Sequence, residues 1–128
     1  MENCENIKDI LCLIVNLQRN TNCRDNDCEG CSRPFLGPNA FISYNTRPIQ
    51  FTSCQSDGLW EMPYTLNGVT GTSTTFRVEN VDENCATFRI LADAQDGSTC
   101  PYILTNSYFT IDIDCILALQ CLSDTCAS

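Results

Sequence analysis

The sequence contains no histidine and a single lysine, Lys8. Without imidazole the usual general base is missing, and with it the Ser-His and Cys-His couples and the histidine-containing zinc sites. An enzyme reading loses most of its parts here, so no catalytic residue and no cofactor is expected. Cations are scarce altogether: seven Lys and Arg stand against sixteen Asp and Glu, for a formal net charge of −9. Phosphate binding needs clustered Lys or Arg, which excludes nucleic acid as an expected partner. The acidity reads instead as solubility and as repulsion between monomers before assembly. A covalent network made through lysine would have one anchor per chain.

Long hydrophobic runs are missing too. The apolar run Ile10 to Val15 is too short to span a membrane, and no membrane partner is expected. The N-terminal stretch "MENCENIKDILCLIVNLQRN" carries Glu2 and Glu5 where a signal peptide has its positive region, and no small-residue cleavage site follows. A secreted disulfide-rich enzyme or inhibitor would need such a signal. Synthesis and first folding are therefore expected in a reducing cytosol, where disulfides rarely persist.

Against these absences stand eleven cysteines in 128 residues. A chain of this length forms one domain and buries a core without staples. The odd number leaves at least one thiol free, metal-bound or paired with another molecule. Three cysteines crowd into "CRDNDCEGCSRPFLG" (23–37), and their spacing opens two readings. Cys23, Cys28 and Cys31 could wrap a zinc ion, with Cys4 or Cys54 as fourth ligand, in a zinc-stabilised cytosolic binding module. A regular pair of CxxC knuckles is absent, however, and disulfides within or between chains are the favoured reading, with no metal. Redox catalysis is disfavoured because the CxxC lies in a loop before a β region, not at a helix start in a βαβ unit.

Hydrophobic periodicity predicts a helix over residues 5–19, with Ile7, Ile10, Leu11, Ile14, Val15 and Leu17 on one arc. Cys12 falls on the opposite face, among Glu5, Lys8, Asp9, Asn16 and Arg19. Residues 20–40 read as loop. Period-two segments follow at 47–54, 59–66, 75–81 and 85–92, separated by Asp57-Gly58 and Asn67-Gly68 turns, and Asp96-Gly97 marks a later one. Pro63 would place its strand at an edge or a bulge, and "VTGTSTT" reads as loop or weak edge strand. Residues 109–121 alternate most clearly, with Ile111, Ile113, Cys115, Leu117, Leu119 and Cys121 pointing one way. The expected fold is mainly β: one domain over 1–128, an N-terminal helix, then an antiparallel β sandwich or open barrel of about six to eight strands. Residues 1–40 form the helix with a cysteine-rich arm and loop, 41–122 the β core and 123–128 a tail.

The same phases sort the cysteines. Cys115 and Cys121 lie in the buried phase and are candidates for core residues or an intrachain bond. Cys54, Cys85 and Cys100 stay undecided. Cys4, Cys12, Cys23, Cys28, Cys31 and Cys126 lie on arms, loops or a solvated face, where a thiol can meet a neighbour without distorting a core. They are the candidates for interchain disulfides, each adding about 2 to 4 kcal/mol. The pairs Asp112/Asp114 and Asp25/Asp27 read as solvated carboxylates, because no EF-hand spacing surrounds them. The aromatic residues read as core.

Four stretches in order carry a family resemblance: "CSRPFLG" (31–37), "YNTRPIQFT" (44–52), "FRVENVDENCATFRIL" (76–91) and "IDIDCILALQCLSD" (111–124). Together they resemble the spore coat protein Y/Z family of endospore-forming bacteria, which comprises exosporium and outer coat proteins. The resemblance implies a structural protein made in the mother-cell cytoplasm. It implies self-assembly into a cyclic oligomer, a hexamer, tiled into a two-dimensional lattice alongside other coat or exosporium proteins. Disulfides would then seal that lattice once the mother cell opens. Noncovalent faces, strand edges and the N-terminal helix among them, are expected to set the geometry before the thiols lock it.

Overall fold

In the computed structural model, which describes residues 6–19, 44–95 and 97–128, Asn6 caps a helix, α1 (Ile7–Arg19). Its side-chain Oδ1 accepts the Asp9 backbone N–H at 2.9 Å, satisfying one of the donors that a helix start leaves open. The cap explains why the helix begins two residues later than the periodicity alone suggests. Leu11, Ile14, Val15 and Leu17 are buried as the apolar arc requires. Gln18 is buried as well. Its Nε2 donates to the Val78 carbonyl at 2.7 Å, and its Oε1 accepts from the Arg47 N–H at 3.1 Å, so one amide pins the helix to the sheet.

The strands are β1 (Ile49–Ser53), β2 (Met62–Leu66), β3 (Val69–Ser73), β4 (Phe76–Asp82), β5 (Cys85–Asp93), β6 (Tyr102–Asp112) and β7 (Ile116–Cys121). Five form an antiparallel sheet in the order β6-β5-β4-β1-β7, and β2 and β3 form a separate hairpin. The fold is thus mainly β and antiparallel, one domain with an N-terminal helix, as expected. Its second layer, over the sheet's inner face, is shared between α1 and residues of the hairpin.

Alternation builds that inner face. Ile49 and Phe51 of β1, Phe76 and Val78 of β4, and Ala86, Phe88 and Ile90 of β5 are all 1% exposed or less. Four phenylalanines meet there: Phe76 and Phe109 edge to face with centroids 4.9 Å apart, and Phe51 and Phe88 at 5.4 Å. Burying each ring stabilises the fold by about 2 to 3 kcal/mol. The outer face is polar, and a bulge between Val78 and Asn80 inserts Glu79 into it.

The hairpin turns at Asn67 (φ 52°) and Gly68 (φ 80°), the two positive values a tight β-hairpin turn demands. Pro63 sits in this two-stranded ribbon, where it costs the main sheet no hydrogen bond. "VTGTSTT" supplies β3, an edge strand. At Gly71 a Cβ would lie 2.7 Å from the Tyr64 hydroxyl, so the ring lies across a bare backbone.

Two expectations are corrected. Residues 109–121 are not one strand. The Asp112 carboxylate accepts the Asp114 N–H at 3.0 Å and caps a 3-10 turn over Ile113–Cys115, which resets the phase. Ile116 is therefore buried and Leu117 is 64% exposed. Nor are residues 123–128 a loose tail. Thr125 bridges Thr46, Ala127 bridges Tyr102, and Ser128 exchanges backbone bonds with Tyr102 and Leu104.

Candidate functional site

The chemistry this chain offers is in its thiols. Cys54 leaves β1 at its end, and Cys115 closes the 3-10 turn that feeds β7. Backbone pairing of Cys54 N–H to Cys115 O at 2.9 Å holds the two together, and they form a disulfide with Cα atoms 5.1 Å apart. Cys100, in the loop before β6, is bonded to Cys126 at the same Cα separation. The two bonds close loops of 61 and 26 residues. In the chain-entropy account these are worth about 4 and 3.5 kcal/mol. Cys121 is disulfide-bonded as well.

Cys126 is thereby corrected: expected to reach a neighbouring molecule from a mobile tail, it is 4% exposed and bonded within the chain. The physical reason lies two residues earlier. Asp124 enters the protein interior to meet Arg47, and this draws the following residues against β6. Of the undecided cysteines, Cys54 and Cys100 are the partners of these intrachain bonds. Cys115, read as core or intrachain, is bonded to Cys54.

Two thiols among the described residues are free, Cys12 and Cys85. Cys12 lies on α1 and is half-buried, less open than its place on the polar arc implies. Cys85 is exposed at the first position of β5. The turn before it has Glu83 in the left-handed region (φ 53°), and the register sets Cys85 between Asp82 and Asp112 on the outer face. Sequence reasoning left Cys85 undecided, although "CATFRILA" carries the signal. With Ala86, Phe88 and Ile90 inward, Cys85, Thr87 and Arg89 must point out.

Cys4, Cys23, Cys28 and Cys31 lie outside the described residues, and so does the zinc alternative built on the last three. Among the described residues no group of three or more His, Cys, Asp or Glu is arranged to hold a metal ion. Asp112, read as a solvated carboxylate, has a structural task in capping the 3-10 turn, and it also accepts from Asn84 Nδ2. Asp25 and Asp27 lie outside the described residues.

The geometry is that of a rigid β scaffold stapled from within and carrying an exposed thiol at a strand end, and the comparison of families agrees with a structural task. The family model of spore coat protein Z matches residues 1–103, from the N-terminal region to the start of β6. The chain belongs to the spore coat protein Z family, and its role is a structural one in the spore coat. No curated protein and no solved structure matches it.

Proposed function

We propose that this chain is a non-enzymatic building block that self-assembles into a cyclic oligomer and then a two-dimensional lattice in the coat or exosporium, sealed by intermolecular disulfides. Synthesis in the mother-cell cytoplasm keeps the thiols reduced while noncovalent contacts set the geometry. Oxidation follows when that compartment opens. Other coat or exosporium proteins are partners in the same layer.

The observation that carries this reading is the division among the thiols. Five of the seven cysteines in the described residues are bonded, whereas Cys85 is free and exposed on a rigid strand. Bonded cysteines stiffen the subunit. A fixed, exposed thiol is available to a neighbour that brings its own cysteine to a Cα distance of about 4.4 to 6.8 Å. Cys12 is the second candidate on the described surface. Cys4, Cys23, Cys28 and Cys31 remain candidates from the sequence.

Negative-stain electron microscopy of the purified protein, with and without reductant, tests the proposal. Rings or ordered sheets that persist under reductant and become resistant to dissociation after oxidation are the expected result. Uniform monomers in both conditions would overturn it.

A further inference from the structure

We infer that the outer face of the five-stranded sheet, around Arg77, Arg89 and Tyr108, is a docking surface for the acidic β4–β5 turn of a second copy of this chain. The inference rests on the self-assembly proposed above and names one of its noncovalent contacts.

The face is cationic in a chain that is strongly anionic. Arg77 and Arg89 stand directly opposite each other on β4 and β5, and like charges in that position repel. The bulge residue Glu79 lies between them. Its Oε2 is 2.6 Å from Arg77 Nη1 but 3.8 Å from Arg89 Nε, so Arg89 is the less compensated of the two. Arg19, at the end of α1, donates from Nη2 to the Glu79 carbonyl at 3.3 Å and adds a third guanidinium. Two of the seven cations of the chain thus share one carboxylate, and a third bonds the backbone of the same residue. Beside them Tyr108 is 46% exposed, with Arg89 stacked 4.8 Å from its ring centroid and hydrogen-bonded to its hydroxyl. An exposed tyrosine held against an arginine is the kind of anchor that protein interfaces favour.

Four residues along β5 from Arg89, about 14 Å at the usual strand rise, the sign of the charge reverses. Asp82 and Asp112 flank Cys85 in the register, and Glu83 and Asp114 adjoin them, all exposed. Lys8 lines a recess with Asp114 and offsets part of this charge, yet the end stays acidic. Between the two ends lie only Asn80, Thr87 and Thr110, uncharged and polar. A broad face-to-face contact through that middle row would bury little apolar surface and gain little. A local, one-way contact, turn of one copy onto cationic face of the next, matches opposite charges and leaves Cys85 at its margin. Contacts of this heterologous kind close into rings or propagate. Being electrostatic and small, the contact is sensitive to salt.

The test uses the full chain in reductant, so that disulfides contribute nothing, with oligomer mass followed by sedimentation velocity at low and high salt. Arg89→Glu disables the face. Asp82→Lys with Glu83→Lys disables the turn, where exposure makes misfolding a lesser concern, and circular dichroism checks both. Each variant is expected to associate about tenfold more weakly than the wild type. Mixed one to one, they grow together as alternating copies, because the unaltered face meets the unaltered turn and the reversed face meets the reversed turn. Carrying all three changes in one chain restores larger oligomers. Folded variants that assemble as the wild type does would overturn the docking face while leaving self-assembly standing, as would a three-change chain that stays monomeric. A wild-type chain that is monomeric at every salt concentration would overturn both.

Discussion

Arg47 and Asp124, 77 positions apart, form a two-pronged ion pair: Nε lies 2.7 Å from Oδ1 and Nη2 2.9 Å from Oδ2. The side chains are 1% and 0% exposed. The pair joins the segment entering β1 to the last residues of the chain, and Gln18 adds α1 by accepting the Arg47 N–H. Three parts distant in sequence therefore converge on one arginine.

Asp124→Ala leaves a guanidinium buried without its carboxylate, a change that costs about 3 to 5 kcal/mol. Urea unfolding of the oxidised protein checks this. A loss below about 1 kcal/mol would show that water reaches Arg47 and that the C-terminal segment is not held as described.

The Cys54–Cys115 and Cys100–Cys126 disulfides are expected to act on stability and not on assembly. Replacing Cys100 and Cys126 together by serine lowers the unfolding free energy by about 3.5 kcal/mol under oxidising conditions. In reductant the variant and the wild type differ little. A variant that remains as stable as the wild type but loses its oligomers would contradict the assignment of this pair to the interior.

Cys85→Ser is expected to behave in the opposite way. The side chain is exposed, so folding free energy shifts by no more than about 0.5 kcal/mol. On non-reducing gels of oxidised material the covalent ladder weakens, and Cys12→Ser added to it weakens the ladder further. An undiminished ladder would place the cross-links on other cysteines.

Tyr102 gives a pH dependence. Partial burial, and secondarily the negative charge of Asp93, hold its phenol above the ordinary tyrosine value. The folded state thus favours the protonated form. The corresponding stability is present below about pH 10 and is lost as pH rises through the raised value. Thermal melts are expected to fall more steeply on the alkaline side for the wild type than for Tyr102→Phe. Identical alkaline slopes would mean that the phenol is as well solvated folded as unfolded.

Local pattern made much of this molecule legible. The apolar arc of α1, the inward Phe76, Val78, Phe88 and Ile90, and the Asn67-Gly68 turn all follow from periods and turn chemistry that act within a few residues. What escaped depends on interactions that a period does not encode. The 3-10 turn after β6 arises because the Asp112 side chain bonds its own backbone two residues on, breaking the clearest alternation in the chain. The burial of Cys126 follows from a partner for Asp124 that lies 77 residues away. Of the candidate thiols, Cys85 was readable from the phase of its strand. The pairing of Cys54 with Cys115 was not, because spacing sets no connectivity when eleven cysteines compete.

Isotope mixing tests the central claim most directly. Equal amounts of unlabelled and 15N-labelled protein are assembled together in reductant, oxidised, digested without reduction and mapped by mass spectrometry. The account predicts mixed-isotope disulfide peptides containing Cys85, with Cys54–Cys115 and Cys100–Cys126 found only in single-isotope form. Cys85 recovered as a free thiol, with every disulfide isotopically pure, would contradict a covalently sealed assembly.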